Sequence, residues 1–273
     1  MDNKMSQLIN KHIEIAKKFI EDLRKDKDIV GVVLLGGAAR GYADEYSDID
    51  LGIFYNYNTN LVPGERIFKN FDLDIMLFEY NSWLNAKWSH EQRQAFKEGI
   101  LLLDHDNKIY NLLQSKLIYG DEERAQDIIN ILMKLKWKGF SIEKYEIPKN
   151  YEFKLPPDLM YKRGCLECSY ILLNESIDLF LQLLYCLNHE FIPDTKWRLY
   201  NSYKLIWLPE NYKENITKLI KTTEISIDNL MIKVNVLNSM ISEAIEVISH
   251  ENIITSKTYL DFIYEGDEYR TKP

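Results

Sequence analysis

Residues 35–51 read Leu35-Gly36-Gly37-Ala38-Ala39-Arg40-Gly41-Tyr42-Ala43-Asp44-Glu45-Tyr46-Ser47-Asp48-Ile49-Asp50-Leu51. The stretch begins at the end of an apolar, β-branched run, Ile29-Val30-Gly31-Val32-Val33-Leu34-Leu35, which reads as a buried strand ending in a glycine turn. A second strand is predicted over residues 49–55. On it Asp48, Asp50, Gly52 and Phe54 share one face, and Ile49, Leu51, Ile53 and Tyr55 the other, because strand side chains alternate. Gly31, Gly36, Gly37, Gly41 and Gly52 are five of only 11 glycines in 273 residues. A chain that concentrates glycine in this way has a local need for unusual backbone or close approach.

Downstream, Phe71-Asp72-Leu73-Asp74-Ile75-Met76-Leu77 repeats the acidic alternation after a turn at Pro63-Gly64. Its odd positions are apolar, and Asp72, Asp74 and Met76 face the other way. Strands disfavour aspartate, so four of them on otherwise core-forming strands call for compensation. A divalent cation compensates, and carboxylates with water and phosphate oxygens suit Mg²⁺. A bare backbone turn beside them can offer N–H groups to phosphate. Together these features point to nucleoside triphosphate chemistry. The chain has no Gly-x-x-x-x-Gly-Lys-Ser/Thr loop, no Gly-x-Gly-x-x-Gly and no Gly-x-Ser-x-Gly.

The 35–51 stretch resembles the signature of the nucleotidyltransferase superfamily, whose palm-like fold is shared with DNA polymerase beta. That signature is a hydrophobic strand, a Gly-Gly or Gly-Ser pair, about ten residues, then Asp-x-Asp, with a third carboxylate on a later strand. The resemblance covers roughly residues 28–80. It implies two Mg²⁺ ions held by Asp48, Asp50 and Asp74, with Asp72 as the alternative third ligand, since parity cannot choose between them. It implies that Gly36 and Gly37 line the triphosphate of ATP or another nucleotide, with Ser47 before the acidic pair. Arg40 either neutralises phosphate charge or pairs with Asp44 or Glu45. Gly37 stands where the family often has Ser, so one hydroxyl contact is missing.

Working outward, helical spacing covers residues 5–26, 83–97 and 107–118, with a short apolar strand at 99–103. Beyond about residue 120 helical periodicity dominates, over 122–138, 157–189, 196–207, 211–221 and 225–250, with prolines at the breaks. The expected class is α+β. A mixed sheet with helices on one face forms a catalytic domain over residues 1–118, and a helical substrate-binding bundle follows over 119–273. The two are expected to share a cleft.

This organisation resembles the nucleotidyltransferases that modify aminoglycoside or lincosamide antibiotics. The region of Pro193-Asp194-Thr195-Lys196 resembles the streptomycin-modifying members, which implies a triphosphate contact for Lys196. A capped helix start is the alternative for that residue. The implied activity transfers AMP from ATP to a hydroxyl of a small molecule. Transfer to a protein or tRNA, or nucleotide sensing without catalysis, are the alternatives. Asp72, Glu79 and Glu167 are candidate bases.

With 34 basic and 42 acidic residues the net charge is −8. That disfavours nucleic acid as a partner and tolerates a cationic acceptor. Three cysteines do not make a secreted disulfide framework, and Cys165-Leu166-Glu167-Cys168, within a helical pattern and without a second Cys/His pair, reads as structural rather than zinc-binding. His189 reads as the cap of an apolar helix, and Lys134, Lys136 and Lys138 as a solvated helix end. The N-terminus lacks a signal-peptide pattern and no membrane span is expected, so the expected location is cytoplasmic.

Overall fold

The computed structural model describes residues 3–140 and 157–254. The chain divides into two compact units, Met1–Ile118 and Tyr119–Pro273.

The first unit runs α1 (Asn3–Phe19), β1 (Ile29–Leu34), α2 (Gly36–Ala39), β2 (Ile49–Tyr55), β3 (Gly64–Phe68), β4 (Phe71–Glu79), α3 (Tyr80–Asn85), α4 (His90–Lys97), β5 (Ile100–Asp104) and α5 (Lys108–Lys116). The five strands form one mixed sheet in the order β3-β4-β2-β1-β5. β2 and β4 are parallel, and the other pairs are antiparallel. The acidic alternation of residues 71–79 becomes the second arm of a hairpin. Lys69 (φ 50°) and Asn70 (φ 65°) form its two-residue turn, and Phe68 pairs with Phe71. Two successive left-handed residues match the twist of the flanking strands, and asparagine tolerates that conformation well.

The apolar face of the sheet packs under α1. Ile15, Ala16 and Ile20 meet Val32, Leu34, Ile49, Leu51, Ile53, Leu73 and Ile75. A second helical layer lies on the opposite, acidic face, at the far end of the strands. There Val33, Leu35 and Phe54 pack with Trp88, Phe96, Ile109 and Leu112. The Phe54 ring lies within 5.1–6.0 Å of Phe78, Phe96 and Trp83. The acidic face is therefore aromatic and closed beyond Gly52. Gly52 is itself part of that closure, because a β-carbon there would meet the Phe78 ring at 2.8 Å.

Several elements end where local chemistry ends them. α1 stops at Phe19 instead of continuing to residue 26. Lys17 and Lys18 favour a helix C-terminus, whereas Glu21 and Asp22 do not. The helix expected over 83–97 is two helices, because Ser89 and Gln92 form a capping box that starts α4 afresh. Asp104, the last residue of β5, accepts the N–H groups of Ile109 and Tyr110 at 2.9 Å each and so anchors the start of α5.

Among its described residues the second unit is helical: α6 (Asp121–Trp137), α7 (Pro157–Lys162), α8 (Leu166–Leu187), α9 (Thr195–Ser202), α10 (Tyr212–Ile220) and α11 (Ile227–His250). The helix expected over 157–189 breaks at Gly164, whose φ of +88° suits a helix stop. α8 is long and apolar enough to cross a bilayer by composition. Its residues instead form the centre of a helical core, with Leu173, Phe180, Leu183 and Leu184 packed among Ile128, Leu132 and Leu135 of α6 and Leu237, Met240 and Ile241 of α11. His189 takes the left-handed position (φ 57°) just beyond α8, with its ring nitrogen on the Tyr119 carbonyl.

Candidate active site

The parallel pairing of β2 with β4 sets Asp50 directly opposite Asp74. Neighbouring strands lie about 4.8 Å apart, so two carboxylates at matched positions on one face can reach a common ion. Both residues are half-buried, between fully buried neighbours on the other face. Ile49 pairs with Leu73, so Asp48 and Asp72 lie one position before that first matched pair, and both are exposed. The sheet thus offers an inner acidic pair and an outer one. Oxygen donors alone suit a hard cation such as Mg²⁺.

Gly36 lies against the inner pair. A β-carbon at Gly36 would sit 1.7 Å from Asp50 Oδ2, and its φ is +68°. The Leu35 N–H donates to the Asp50 carbonyl at 2.9 Å, which fixes the turn beside β2. Gly37 is tight for another reason. Its β-carbon would meet the Tyr42 carbonyl at 2.8 Å, and the Tyr42 N–H donates to the Gly37 carbonyl at 2.9 Å. The glycine pair therefore lets one backbone turn fold closely on both Asp50 and Tyr42.

The loop before Asp48 is organised by Asp44. One carboxylate oxygen accepts the Tyr46 N–H at 2.9 Å and the Ser47 hydroxyl at 3.1 Å, and the other accepts the Tyr42 hydroxyl at 3.0 Å. The Ser47 hydroxyl in turn accepts the Asp44 N–H at 2.9 Å. The Tyr46 N–H, then the Tyr42 and Ser47 hydroxyls, hold the Asp44 carboxyl below the usual range. Ser47, expected at the nucleotide, thus has Asp44 as its partner. Arg40 pairs with Glu98, not with Asp44 or Glu45 as its expected carboxylate partners; its Nε donates to Glu98 Oε2 at 2.6 Å, tying the glycine turn to the segment before β5.

The role of His12 was not legible in the sequence. His12 is buried on α1, with Nε2 3.1 Å from the Ser47 carbonyl and Nδ1 2.7 Å from that of Leu8. Its ring also meets Phe71 edge-on at 5.3 Å. A polar residue among the apolar positions of α1 was the available signal, and its partner 35 residues away was not.

Glu79 ends β4 and caps α3, accepting the N–H groups of Asn81 at 3.1 Å and Ser82 at 2.6 Å. Hydrogen bonds from Ser82, then Asn81, hold its carboxyl below the usual range. Lys196 belongs to the second unit, as does Glu167. It is exposed on the first turn of α9, where Asp194 accepts its backbone N–H at 3.0 Å. Lys134 and Lys136 occupy the last turn of α6, and Lys138 pairs with Glu175.

The paired acidic strands and the glycine turn stand on one mixed sheet. A family model for the nucleotidyltransferase domain matches residues 16–162, more than half the chain, and the chain belongs to that family: it is a nucleotidyltransferase. No curated protein matches its sequence. Among solved structures, a nucleotidyltransferase-like protein from Exiguobacterium sibiricum superposes with a TM-score of 0.44 at 8% identity, covering 95% of this chain and 81% of that one.

Proposed function

We propose that the chain transfers AMP from ATP to a hydroxyl of a small molecule, with an aminoglycoside-like antibiotic as the model acceptor, in a Mg²⁺-dependent reaction in the cytoplasm. The observation that carries the reading is the register of Asp50 with Asp74, with the Gly36 backbone against Asp50. In this proposal Asp50, Asp74 and Asp48 hold two Mg²⁺ ions. The register favours Asp74 over Asp72 as the third ligand, because Asp74 is level with Asp50. When bound, the ions neutralise the triphosphate and acidify the acceptor hydroxyl.

The chain's own residues do the rest. Gly36 and Gly37 let the backbone approach the phosphates without a side chain in between. Asp72 is the better candidate base, being one alternation step from Asp74 on the same face, whereas Glu79 is committed to α3. The hydroxyl oxygen attacks the α-phosphorus, its proton passes to the base, and pyrophosphate leaves. Arg40 is the proposed neutraliser of phosphate charge, with its Nε held by Glu98. The helical unit, with Lys196, is the proposed acceptor-binding part. The net charge of −8 supports a cationic acceptor, and the small number of cysteines supports a cytoplasmic setting.

The test is incubation of the full chain with α-labelled ATP, GTP, CTP or UTP and Mg²⁺, against an antibiotic panel and cell extract. Label from ATP on a small molecule supports the proposal. Label on a protein or RNA, transfer from another nucleotide only, or binding without transfer overturns it in favour of the corresponding alternative.

A further inference from the structure

Cys165 and Cys168 are joined as a disulfide across the first turn of α8, with their Cα atoms 5.5 Å apart. Cys165 is the N-cap residue of the helix, and in this state its side chain makes no capping hydrogen bond. Both cysteines are half-buried, so thiols in solution have a path to them. The third cysteine, Cys186, is on the same helix and differs in every respect. It is fully buried, and burial pushes its thiol up to about 12.

We propose that Cys165 and Cys168 form a reversible thiol-exchange site whose co-reactants are low-molecular-weight thiols and their disulfides, and whose state sets how firmly α7 is held on α8. The helix start favours exchange. A thiolate at the N-cap can accept first-turn N–H groups and lies at the positive end of the helix dipole. Lys162 and Arg163, just before the pair in sequence, add positive charge. The reduced pair therefore gains a capping interaction that the disulfide lacks. A disulfide whose reduced form is stabilised is more readily reduced than a purely structural one.

The chemistry balances with two equivalents of thiol. One external thiolate attacks Cys168 Sγ, the Cys165–Cys168 bond breaks, and Cys165 leaves as the thiolate. A second external thiolate attacks the external sulfur of the mixed disulfide and releases Cys168. Two electrons pass from the two thiols to the protein pair, and the external disulfide is the other product. Protons lost by the incoming thiols return to the protein thiols through solvent.

The structural readout lies beside the pair. The Cys165 N–H donates to the Met160 carbonyl at 2.8 Å, and the Gly164 N–H to that of Tyr161 at 2.8 Å. The Ser169 hydroxyl accepts the Tyr161 N–H at 3.0 Å. The disulfide joins the turn these bonds share at Cys165, the residue where that turn meets α8. Lys162 and Arg163 are exposed within it and offer tryptic sites.

The test equilibrates the native full chain in glutathione buffers of varied poise, traps thiols with iodoacetamide and counts adducts by intact mass. No adduct is expected in oxidised glutathione and two in reduced glutathione, reversibly, with Cys186→Ser behaving the same. Cys165→Ser is expected to trap one glutathione on Cys168. Trypsin is expected to cut after Lys162 and Arg163 several-fold faster in the reduced protein. A pair that stays oxidised in reduced glutathione and yields only to dithiothreitol in denaturant overturns exchange. Two adducts without any reductant overturn the disulfide, and equal tryptic rates overturn the link to α7.

Discussion

The carboxylate of Asp50 occupies the space where a side chain on Gly36 would begin: a β-carbon there would lie 1.7 Å from Oδ2 and 2.7 Å from Cγ. Two residues 14 positions apart thus share one volume, which only glycine can vacate. The left-handed φ of +68° adds a second demand for glycine at the same position.

Gly36→Ala is therefore expected to be damaging twice over. The left-handed conformation costs a non-glycine residue roughly 1–2 kcal/mol. Displacing Asp50 by an ångström should lower kcat/KM by on the order of 100-fold, as misplacement of a reacting group does. Thermal denaturation and nucleotidyl-transfer rates measure the two effects separately. Wild-type activity in Gly36→Ala would remove the role given to this contact.

Asp50→Asn and Asp74→Asn should each bring Mg²⁺-dependent transfer down to background with little change in Tm, because an amide keeps the shape and loses the charge. Asp72→Asn should keep Mg²⁺ affinity and lose kcat if Asp72 is the base and not a ligand. Metal titrations of the three variants distinguish these roles. Equal Mg²⁺ affinity in Asp74→Asn and wild type would reassign the third ligand.

His12→Ala removes a buried ring that meets two carbonyls. The expected destabilisation is about 1–3 kcal/mol, the cost of leaving the Ser47 carbonyl unpaired, while the Leu8 carbonyl keeps its N–H within α1. Because one of those carbonyls belongs to Ser47, next to Asp48, transfer should fall further than stability predicts. Activity measured well below the variant's Tm tests this, and an unchanged kcat would confine His12 to a folding role.

Asp44 and Glu79 both have carboxyl groups held below their ordinary values by hydrogen bonds. Protonation is therefore easier in the unfolded chain than in the folded one. Their stabilisation is present above the ordinary carboxylate range and is lost as pH falls through the lowered folded values. Asp44→Asn and Glu79→Gln should flatten the acid limb of a Tm-versus-pH curve while lowering Tm at neutral pH. An acid limb identical to that of wild type in both variants would contradict this account.

Lys233 of α11 is buried, and its ammonium caps the end of α10, donating to the Leu219 carbonyl at 2.8 Å and to the Thr222 hydroxyl at 2.6 Å. Lys233→Met keeps the apolar stem and leaves that carbonyl unpaired, for an expected loss of about 1–3 kcal/mol. Urea denaturation measures it, and a gain in stability would show that relief from burying the charge outweighs the hydrogen bonds.

The sequence alone determined the individual strands, because alternation and glycine spacing are local properties that each strand carries by itself; the palm-like fold followed from the resemblance of residues 35–51 to the nucleotidyltransferase signature. Residues 29–35 and 49–55 read as strands, the first ending one residue earlier in the structure, and the faces of Asp50 and Asp74 followed from parity. The same reasoning predicted a helical second half from periodicity. It overran helix ends at Phe19, Asn85 and Lys162, where terminal charges, a capping box and a left-handed glycine settle the boundary on a finer scale than an apolar pattern resolves. Only the tertiary structure decided that Asp74 rather than Asp72 stands level with Asp50, because register depends on hydrogen bonding between strands and two residues of equal parity look alike along one strand. It also decided that Arg40 meets Glu98, that His12 holds the loop of Ser47, and that Asp50 fills the space left by Gly36. Each is a contact between distant positions, set by how the strands and helices pack and not by what any one segment prefers.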